Sequence, residues 1–568
     1  MLTIDTMSYL DVPRLHFAGR FFSDPSTVNN STGGYQDASS VPTIMAKTGG
    51  MSKSEEKLVE WNPLGNHHFT FKGCKIKSVV NAAGTIETDK TKDVLIDGKV
   101  TSNSGRAAKL VDLDPEHQTA SQIYGMTITV TDTKGASFSG TLKTPTLRDL
   151  WFGRSVGNLS GAGGVFQSVL TGVTWSGDTN ASPVMKKLRA TSATKLSIKF
   201  VTYAYDDTHG GDPRKPSARA DFAHGKVVGT IGPWKSGEPD HYIAARRIDD
   251  GNQDTIGIWQ SAFGPASFKV DMARGSVVAD MGNAIGESSP GGPVKSVGTL
   301  TAFMKGGPVG VSTTLFTGSF NQTILETTAG VIEIKPSAQQ LQALNAGARL
   351  ALRSSTLSKT ILQEHTDGSY VDADEVVLRI NPGESKKIEL RALTFGRAKS
   401  NQAITVRKLH PSYATSGVSL AKSPTSKTDA NGKMVLTFKV DAAGPGGTKR
   451  ANNLDGQLLR YGVFWGSSAL SAQLRAVISI HAYEKFTIPA NPKWSHVKDI
   501  LSAYHYMYPT SSMSFFELDD HAFMKGSAST MIAVMSRAFT DPGFMPVTRD
   551  LSKAKTETIL KWLKDGAP

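Results

Sequence analysis

The sequence predicts a mainly β protein of several domains, and three observations lead to this prediction. The chain has 568 residues, which is several times the usual size of one domain. Its 55 Gly and 26 Pro indicate many turns. Most segments before about residue 330 alternate apolar and polar positions, as half-buried strands do. We therefore expect β-rich units over most of the chain.

The first predicted unit is a β-rich N-terminal domain over residues 1–270. Its clearest strand is 195–203, because the even-numbered positions 196–202 fall on one face while Val201 and Tyr203 fall on the other. At least one face of this strand is expected to be buried. Two stretches rich in Gly, Ser, Pro or charged residues are predicted to be long surface loops: 29–55 and 208–219.

Two further β units are predicted after the first. Residues 271–384 are expected to form a second β-rich domain, in which 337–348 predicts a short helix that ends near Gly347. Residues 385–488 have the strand spacing of an immunoglobulin-like sandwich. Their clearest turn signal is Asn431-Gly432, because this dipeptide favours a hairpin turn between apolar strands.

The pattern becomes helical in residues 489–568. Apolar and aromatic residues recur every three or four positions from Trp494 to Tyr508, which predicts an amphipathic helix. Two more helices are expected over 522–539 and 552–563. The last unit is therefore predicted to be a small α-helical segment.

Charge and cysteine content limit the classes of partner. Lys and Arg total 63 against 50 Asp and Glu, a formal charge of +13. These cations are scattered and are not interleaved with aromatic residues, so nucleic-acid binding is not predicted. The lone Cys74 cannot form an intramolecular disulfide. No segment has the pattern of a signal peptide or a membrane span, so a cytoplasmic location without membrane contact is expected.

Familiar catalytic motifs are missing from the sequence. It contains no Gly-x-Ser-x-Gly elbow, Walker loop, His-Glu-x-x-His helix or Cys-x-x-Cys pair. The sequence motifs therefore give no support to the hydrolase, kinase, zinc-enzyme or dehydrogenase classes. Histidines such as His209, His224 and His241 are too far apart in sequence to predict a metal site.

Polar residues near the N-terminus are the first candidates for chemistry. His16 follows Arg14 on a predicted strand and faces away from Leu15 and Phe17. It is either a core histidine or a ligand or general base. His68 begins an extended segment in which neighbouring imidazoles point to opposite sides, so only one of them can enter a given pocket.

A second group of candidates lies between residues 112 and 124. Asp112 and Asp114 place two carboxylates on one side of an extended chain, where they could bind a hard cation or raise one pKa by repulsion. The alternative is a turn held by aspartate-to-backbone hydrogen bonds. Gln122 and Tyr124 offer an amide and a phenol suited to a carboxylate or carbonyl substrate.

The helical segment carries Tyr504-His505-Tyr506-Met507-Tyr508, which includes several side chains found on haem iron. Helical spacing places Tyr504 and Tyr508 on one stripe, with His505 beside it. Such a stripe is either core packing or a haem-binding face.

The order of these segments resembles that of the violacein-pathway iminophenylpyruvate dimer synthases and the related chromopyrrolate synthases. The matching segments run almost end to end: 13–17, 66–69, 112–125, 229–238 with Arg246-Arg247, 280–285, 503–509 and 545–552. None of them is a catalytic signature alone, and their joint order carries the resemblance. Members of that family continue into a ferritin-like region, so the resemblance covers their N-terminal half.

The resemblance implies an oxidative enzyme of secondary metabolism that uses haem and peroxide. Its substrate would be an aromatic imino acid supplied by an amino-acid oxidase, and its product would pass to a downstream pathway enzyme. The candidate residues divide by role into catalytic (His16, His68, Asp112, Asp114, Tyr124), substrate-binding (Arg14, Gln122, Arg246) and haem-binding (Tyr504, His505). Arg14, Tyr124 and Arg246 suit the carboxylates of such a substrate.

Two other functions remain open from the sequence. The absence of a ferritin-like region and of catalytic motifs favours a non-catalytic β-rich module that binds a small molecule or a partner enzyme. Gly-rich sandwiches also serve as carbohydrate-binding or structural domains.

Overall fold

The structure is a computed structural model that describes residues 8–24, 67–103, 105–114, 117, 119–152, 162–204, 224–251, 253, 259, 262–288, 291–409, 416–423, 426–447, 450, 454–467, 474–507 and 516–568. Over these residues the protein is mainly β and divides into several units, as the sequence predicts. The predicted loops 29–55 and 208–219, and His209 with them, lie outside the described residues.

A closed sheet forms the first unit. The strands of this unit are β1 (Arg14–Asp24), β2 (His68–Val80), β3 (Ile86–Glu87), β4 (Lys99–Ser102), β5 (Ala108–Asp112), β6 (Ser121–Tyr124), β7 (Thr127–Thr131), β8 (Ser137–Leu142), β9 (Arg148–Phe152), β10 (Ala162–Ser176), β11 (Lys195–Ala204) and β12 (His224–Pro233). Pairing runs from β1 through β12, β11, β10, β8, β7, β4 and β2 back to β1, so eight strands close on themselves. The β5–β6 hairpin is attached to β2 beside this ring.

Apolar side chains fill the interior of the closed sheet. The rings of Phe69, Phe166 and Phe200 pack with centroids between 5.2 and 6.3 Å apart. Helix α1 (Pro183–Thr191) adds Met185 to the same core, and Ser182 caps its N-terminus by accepting a hydrogen bond from the Met185 amide. The interior is therefore a packed hydrophobic core.

Strand β11 is buried on both faces. Leu196, Ile198 and Phe200 belong to the core inside the closed sheet, whereas Val201 and Tyr203 belong to the core of the next unit. The predicted alternation is thus confirmed, and burial of the outer face follows because the second unit packs against the outside of the closed sheet.

In its described residues, the second unit contains two four-stranded sheets and two helices. Its elements are β13 (Arg246–Ile248), β14 (Ala266–Asp271), β15 (Ser276–Asp280), β16 (Thr299–Lys305), β17 (Thr314–Ser319), α2 (Gln322–Thr328), β18 (Val331–Ile334), α3 (Ala338–Ala346), β19 (Arg349–Ser354) and β20 (Lys359–Gln363). Helix α3 confirms the predicted helix: Ser337 and Gln340 form a capping box, and Gly347 ends the helix at φ 114°. The predicted boundary after residue 270 falls inside the β14–β15 hairpin.

The third unit is a β-sandwich, as the sequence predicts, but its first two strands lie before the predicted start at residue 385. Its strands are β21 (Ser369–Ala373), β22 (Val377–Ile380), β23 (Ser385–Thr394), β24 (Arg397–Ala398), β25 (Ile404–Lys408), β26 (Val418–Ser423), β27 (Lys433–Val440), β28 (Gln457–Trp465) and β29 (Leu474–Ala482). The sheets β21-β23-β27-β26 and β22-β29-β28-β25 share one hydrophobic core. Gly432 adopts φ 72° immediately before β27. The connection from β26 to β27 spans 424–432, so it is longer than the two-residue hairpin turn that Asn431-Gly432 favours.

Among the described residues, the helical unit contains α4 (Trp494–Met507), α5 (His521–Gly526), α6 (Ala528–Met535) and α7 (Lys553–Lys564). The single helix predicted over 522–539 is wrong, because Ser527 ends α5 and begins α6, directly after Gly526. Helix α7 confirms the prediction over 552–563. Of the helices in the described part of the chain, none has both the length and the apolar composition needed to cross a membrane.

Candidate functional site

A cleft lies where the closed sheet, the sandwich and the helical unit meet, and its volume is about 230 Å³. We name it the junction cleft and define it by its lining residues: Asp114, Leu454, Asp455, Glu484, Phe486, Ser495, His496, Asp499, Ile500, Ala503, Tyr504, Asp550, Leu551 and Lys555. Among the described residues, five carboxylates and one lysine face this space. Arg450 binds one of these carboxylates, Asp114, so acidic side chains still outnumber the basic ones at this cleft.

Asp114 reaches the cleft from the connection between β5 and β6. Leu113 and Ala120 in this connection are buried in the sandwich core, which fixes the connection against the sandwich. The Asp114 carboxylate forms a bidentate pair with Arg450, at 2.5 Å to Nη2 and 3.0 Å to Nη1. Asp114 therefore has a different partner from Asp112, with which the sequence left a shared cation site as one of two alternatives.

Lys555 supplies the positive charge of the lining. Its Nζ lies 2.8 Å from Glu484 Oε1 and 3.2 Å from Asp455 Oδ2. Burial lowers the pKa of the adjacent His481, so its imidazole is neutral, and its Nε2 donates to the Asp455 carbonyl at 2.7 Å. One lysine thus serves two carboxylates, and the cleft retains an excess of negative charge.

Asp550 and Tyr504 form the helical side of the cleft. Asp550 Oδ1 accepts hydrogen bonds from the Tyr504 hydroxyl at 2.8 Å and from Thr548 Oγ1 at 2.6 Å. Burial raises the pKa of Asp550, the Asp114 carboxylate raises it further, and the two hydroxyl donors offset part of the increase. A buried acid of this kind keeps its proton to a higher pH than an exposed aspartate does, and it can bind a cation once it is ionised.

The cleft combines predicted residues with others that the sequence analysis missed. Asp114 and Tyr504 were predicted, whereas Asp455, Asp499 and Asp550 were not singled out. Asp550 lies in the segment 545–552, which is part of the resemblance. That match was the one feature of the sequence that could have indicated Asp550. The other acids lie in segments without a motif, so only the fold shows that they face one cavity.

Arg14 and His16 are part of the fold rather than of a site. Nδ1 of His16 lies 2.9 Å from Thr230 Oγ1, and Arg14 Nε donates to His16 Nε2 at 3.4 Å. Burial, and then the charge of Arg14, lower the pKa of His16, so it stays neutral. Arg14 also donates to the Leu10 carbonyl at 2.8 Å and lies 3.6 Å from Glu333. The core-histidine alternative therefore describes His16.

Arg246 is committed to the core of the second unit. Its Nε and Nη2 bind Glu364 at 2.8 and 2.6 Å. The carbonyls of Leu344 and Ala348 accept hydrogen bonds from Nη1 and Nη2, both at 2.6 Å. The guanidinium also lies over the Phe268 ring at 4.9 Å. These internal contacts occupy Arg246 in place of the predicted substrate carboxylate.

Gln122 and Tyr124 hold an arginine of the sandwich instead of a substrate. Nη1 of Arg379 donates to Gln122 Oε1 and to the Tyr124 hydroxyl, both at 3.0 Å, and Nη2 donates to the Asp112 carbonyl at 2.8 Å. The guanidinium of Arg549 lies 4.1 Å from the centroid of the Tyr124 ring. The predicted amide and phenol thus dock the β5–β6 hairpin onto two other units.

His68 and Cys74 lie on β2, outside the junction cleft. His68 is half-buried and pairs with Asp24 of β1. His16 of β1 pairs instead with Ser78, which lies ten positions further along β2. The structure therefore does not bring the two predicted histidines together. Burial raises the pKa of Cys74 to about 12, so its thiol stays protonated and unreactive.

Tyr504 and His505 do not fit a pair of ligands on one haem iron. The Tyr504 hydroxyl binds Asp550 in the cleft, whereas His505 Nε2 lies 3.4 Å from Asp519 Oδ1, outside the cleft lining. Successive residues of a helix project about 100° apart, so the two side chains diverge. The acid-lined cleft is also unsuited to a large apolar macrocycle. Haem binding stays a prediction of the resemblance.

A cluster of possible metal ligands lies beside His505. One ligand atom from each of His505, Glu517 and Asp519 lies within 4.8 Å of the other two. No metal site was predicted from the sequence, and this cluster was not expected. The available signal was the Glu517-Leu518-Asp519 pattern shortly after the helix that carries His505.

Asp112 makes the stability of the protein depend on pH. Burial raises its pKa to about 6, although a hydrogen bond from Ser121 and the charge of Arg379 act in the opposite direction. Because the folded-state pKa exceeds the unfolded value of about 3.9, the protonated group stabilises the fold at low pH. This contribution is lost as the pH rises through about 6.

Asp112→Asn should therefore stabilise the protein relative to the wild type at pH 8, by roughly 2 kcal/mol, and change stability little at pH 4. Urea unfolding at both pH values measures the difference. The exposed Asp441 provides a control, since Asp441→Asn should keep the wild-type pH dependence. An Asp112→Asn protein whose stability relative to the wild type is the same at both pH values would refute this assignment.

Comparisons with known proteins give no family. No family model matches the chain, and no curated protein matches it either. Structural similarity is found with domains 4 and 5 of the S-layer protein SbsC, at 8% identity over 23% of this chain and 63% of that one, with a TM-score of 0.14. The D0–D1 domain of intimin aligns at 11% identity over 37% of this chain and 90% of that one, also with a TM-score of 0.14.

The chain thus spans 63% of the first of these structures, less than two thirds of its length. Scores this low carry no argument about a shared fold or a shared function. The assignment of a function therefore depends on the residues of the junction cleft.

Proposed function

We propose that the chain binds a small organic cation in the junction cleft. The observation that carries this proposal is the excess of acidic over basic side chains among the described residues: five carboxylates, against Lys555 and the Arg450 that binds Asp114, around a cavity of about 230 Å³. Partly buried walls strengthen the field of these charges, so a cation gains affinity and an anion loses it. A cavity below the roughly 300–1,000 Å³ of sites for drug-sized molecules favours a small ligand.

Asp499, Asp550 and Tyr504 are the proposed contacts. Asp499 lies on α4 and is exposed at the edge of the cleft. Asp550 accepts hydrogen bonds from the hydroxyl groups of Tyr504 and Thr548. Phe486 and Ile500 add apolar surface to the lining. This combination suits a primary amine on a short aromatic or aliphatic body.

Phenethylamine is expected to bind the purified chain, whereas its anionic counterpart 3-phenylpropionate is not. Asp499→Asn should weaken amine binding about fivefold, because one charge near a partly exposed cation is worth about 1 kcal/mol. Isothermal titration calorimetry measures the affinity for both ligands.

Amine affinity should also fall as the pH is lowered through the raised pKa of Asp550, because the carboxyl then loses its charge.

Asp441→Asn is the matched control for Asp499→Asn, since Asp441 is an exposed aspartate outside the cleft. It should leave amine affinity unchanged. Equal affinity for the amine and the acid, or undiminished binding after combined replacement of Asp499 and Asp550 by Asn, would rule out the cleft as a cation site.

A second candidate is the oxidative enzyme of secondary metabolism that the resemblance implies, acting on an aromatic imino acid from an amino-acid oxidase. One observation favours it: three segments of the resemblance, 112–125, 503–509 and 545–552, lie together in space at Asp114, Tyr504 and Asp550, although the acidic cleft there does not suit the haem itself. The absorption spectrum of protein from haem-supplemented cells, recorded before and after addition of peroxide, tests this candidate. A Soret band that responds to peroxide supports it, and a colourless protein that does not convert the imine excludes it.

We also propose a cytoplasmic location. Cys74 is the one cysteine of the sequence, and it is buried, so the fold uses no intramolecular disulfide of the kind that oxidising compartments favour. Fractionation of cells that express the chain tests this proposal.

A further inference from the structure

We propose that His505, Glu517 and Asp519 bind a divalent first-row transition ion. One ligand atom from each residue lies within 4.8 Å of the other two. An imidazole nitrogen with two carboxylate oxygens is a donor set that suits Zn²⁺ or Mn²⁺ better than Ca²⁺ or Mg²⁺. Three ligands about 2.1 Å from one ion lie about 3.4 Å apart, so small side-chain rotations would complete the site.

The two sides of this cluster are held by different elements. His505 lies in the last turn of α4, with Nε2 directed at Asp519 Oδ1, 3.4 Å away. Glu517 and Asp519 lie in the turn before α5, where the Asp520 amide donates to the Glu517 carbonyl at 3.0 Å. The Asp520 side chain then caps α5 through the Phe523 amide at 2.6 Å. The backbone therefore presents the carboxylates to a fixed imidazole.

Exposure increases across the three ligands. The His505 side chain is 4% exposed and that of Asp519 is 29% exposed, while Glu517 is on the surface. The buried imidazole gives one rigid ligand, and the exposed carboxylates leave space for water on the same ion. Three protein ligands with solvent in the remaining positions form an open coordination sphere.

The ion would connect α4 to the start of α5. Tyr504 lines the junction cleft, but His505, Glu517 and Asp519 do not. Metal binding at this cluster is therefore independent of the cation proposed for the cleft, and either can fail without the other. Its effect would be to stabilise the helical unit, because binding to the folded state alone shifts the unfolding equilibrium.

Titration of the EDTA-treated full chain with ZnCl₂ should show one bound Zn²⁺ and a rise in Tm. Replacement of Glu517 by Gln together with Asp519 by Asn should weaken Zn²⁺ binding by about tenfold or more. Glu557→Gln is the matched control, since Glu557 is an exposed glutamate on α7, outside the cluster. It should bind Zn²⁺ as the wild type does.

The metal-free Tm of the double variant should equal that of the metal-free wild type, because neither replaced side chain is buried. This comparison separates loss of a ligand from loss of the fold. The proposal is overturned if the wild type does not bind Zn²⁺, or if the double variant binds it with wild-type affinity.

Discussion

Arg246→Ala is expected to lower the free energy of unfolding by about 3–5 kcal/mol. The variant leaves the Glu364 carboxylate, 1% exposed, without the guanidinium that binds it at 2.6 and 2.8 Å. It also removes one hydrogen-bond donor from each of the Leu344 and Ala348 carbonyls. Urea unfolding followed by tryptophan fluorescence measures the loss, because Trp259 lies in the core of the same unit.

Arg353→Ala is the control for this prediction. Arg353 is an exposed arginine on β19 of the same unit, so its removal should change stability by no more than about 0.5 kcal/mol. Joint replacement of Arg246 and Glu364 by Met should recover part of the loss, because no buried charge then remains unpaired. If Arg246→Ala were as stable as the wild type, Arg246 would again be a candidate for substrate binding.

Arg549→Ala is expected to destabilise the attachment of the helical unit by about 3–5 kcal/mol. Arg549 is completely buried and donates to three carbonyls: Phe539 at 2.9 Å, Val547 at 2.6 Å and Asp541 at 2.7 Å. It also covers the Tyr124 ring of the first unit. The variant leaves three carbonyls without this donor and opens a cavity beside Tyr124. Faster hydrogen exchange in α4 to α7, with the closed sheet still protected, is the expected result.

Arg537→Ala provides the matched arginine control. Its side chain is 26% exposed and lies 3.4 Å from Asp541, four residues along the chain. Partly exposed ion pairs contribute about 0.2–1 kcal/mol, so hydrogen exchange should stay close to that of the wild type. Equal exchange rates for the Arg549 and Arg537 variants would show that Arg549 does not attach the helical unit.

The fold could be predicted where local pattern and long-range packing agree. The alternation of β11 and the capping box of α3 are both local, and both are confirmed. The closure of the first sheet could not be predicted, because β1 and β12 are more than 200 residues apart and each has only an ordinary strand pattern. The division between α5 and α6 depends on Gly526 and Ser527, whose effect within an apolar pattern is weak.

The candidate site was harder to predict for a related reason. Gln122 and Tyr124 were predicted to hold a carboxylate or carbonyl substrate, but in the structure both accept hydrogen bonds from Arg379, more than 250 residues away. Asp114 likewise pairs with Arg450, at a separation of 336 residues. A single sequence indicates which side chains can make such contacts. It does not show whether the partner of such a side chain is another residue of the chain or a ligand.

The closure of the first sheet also affects how the chain is made. β1 pairs with β2 on one side and with β12 on the other, so the ring cannot close until residue 233 has left the ribosome. Synthesis of the roughly 200 residues between these strands takes on the order of 10–40 s. During that time one edge of the N-terminal strand exposes unpaired backbone groups that can pair with another nascent chain. Chaperone binding during translation, and aggregation when expression is too fast, should therefore both begin at the first strand.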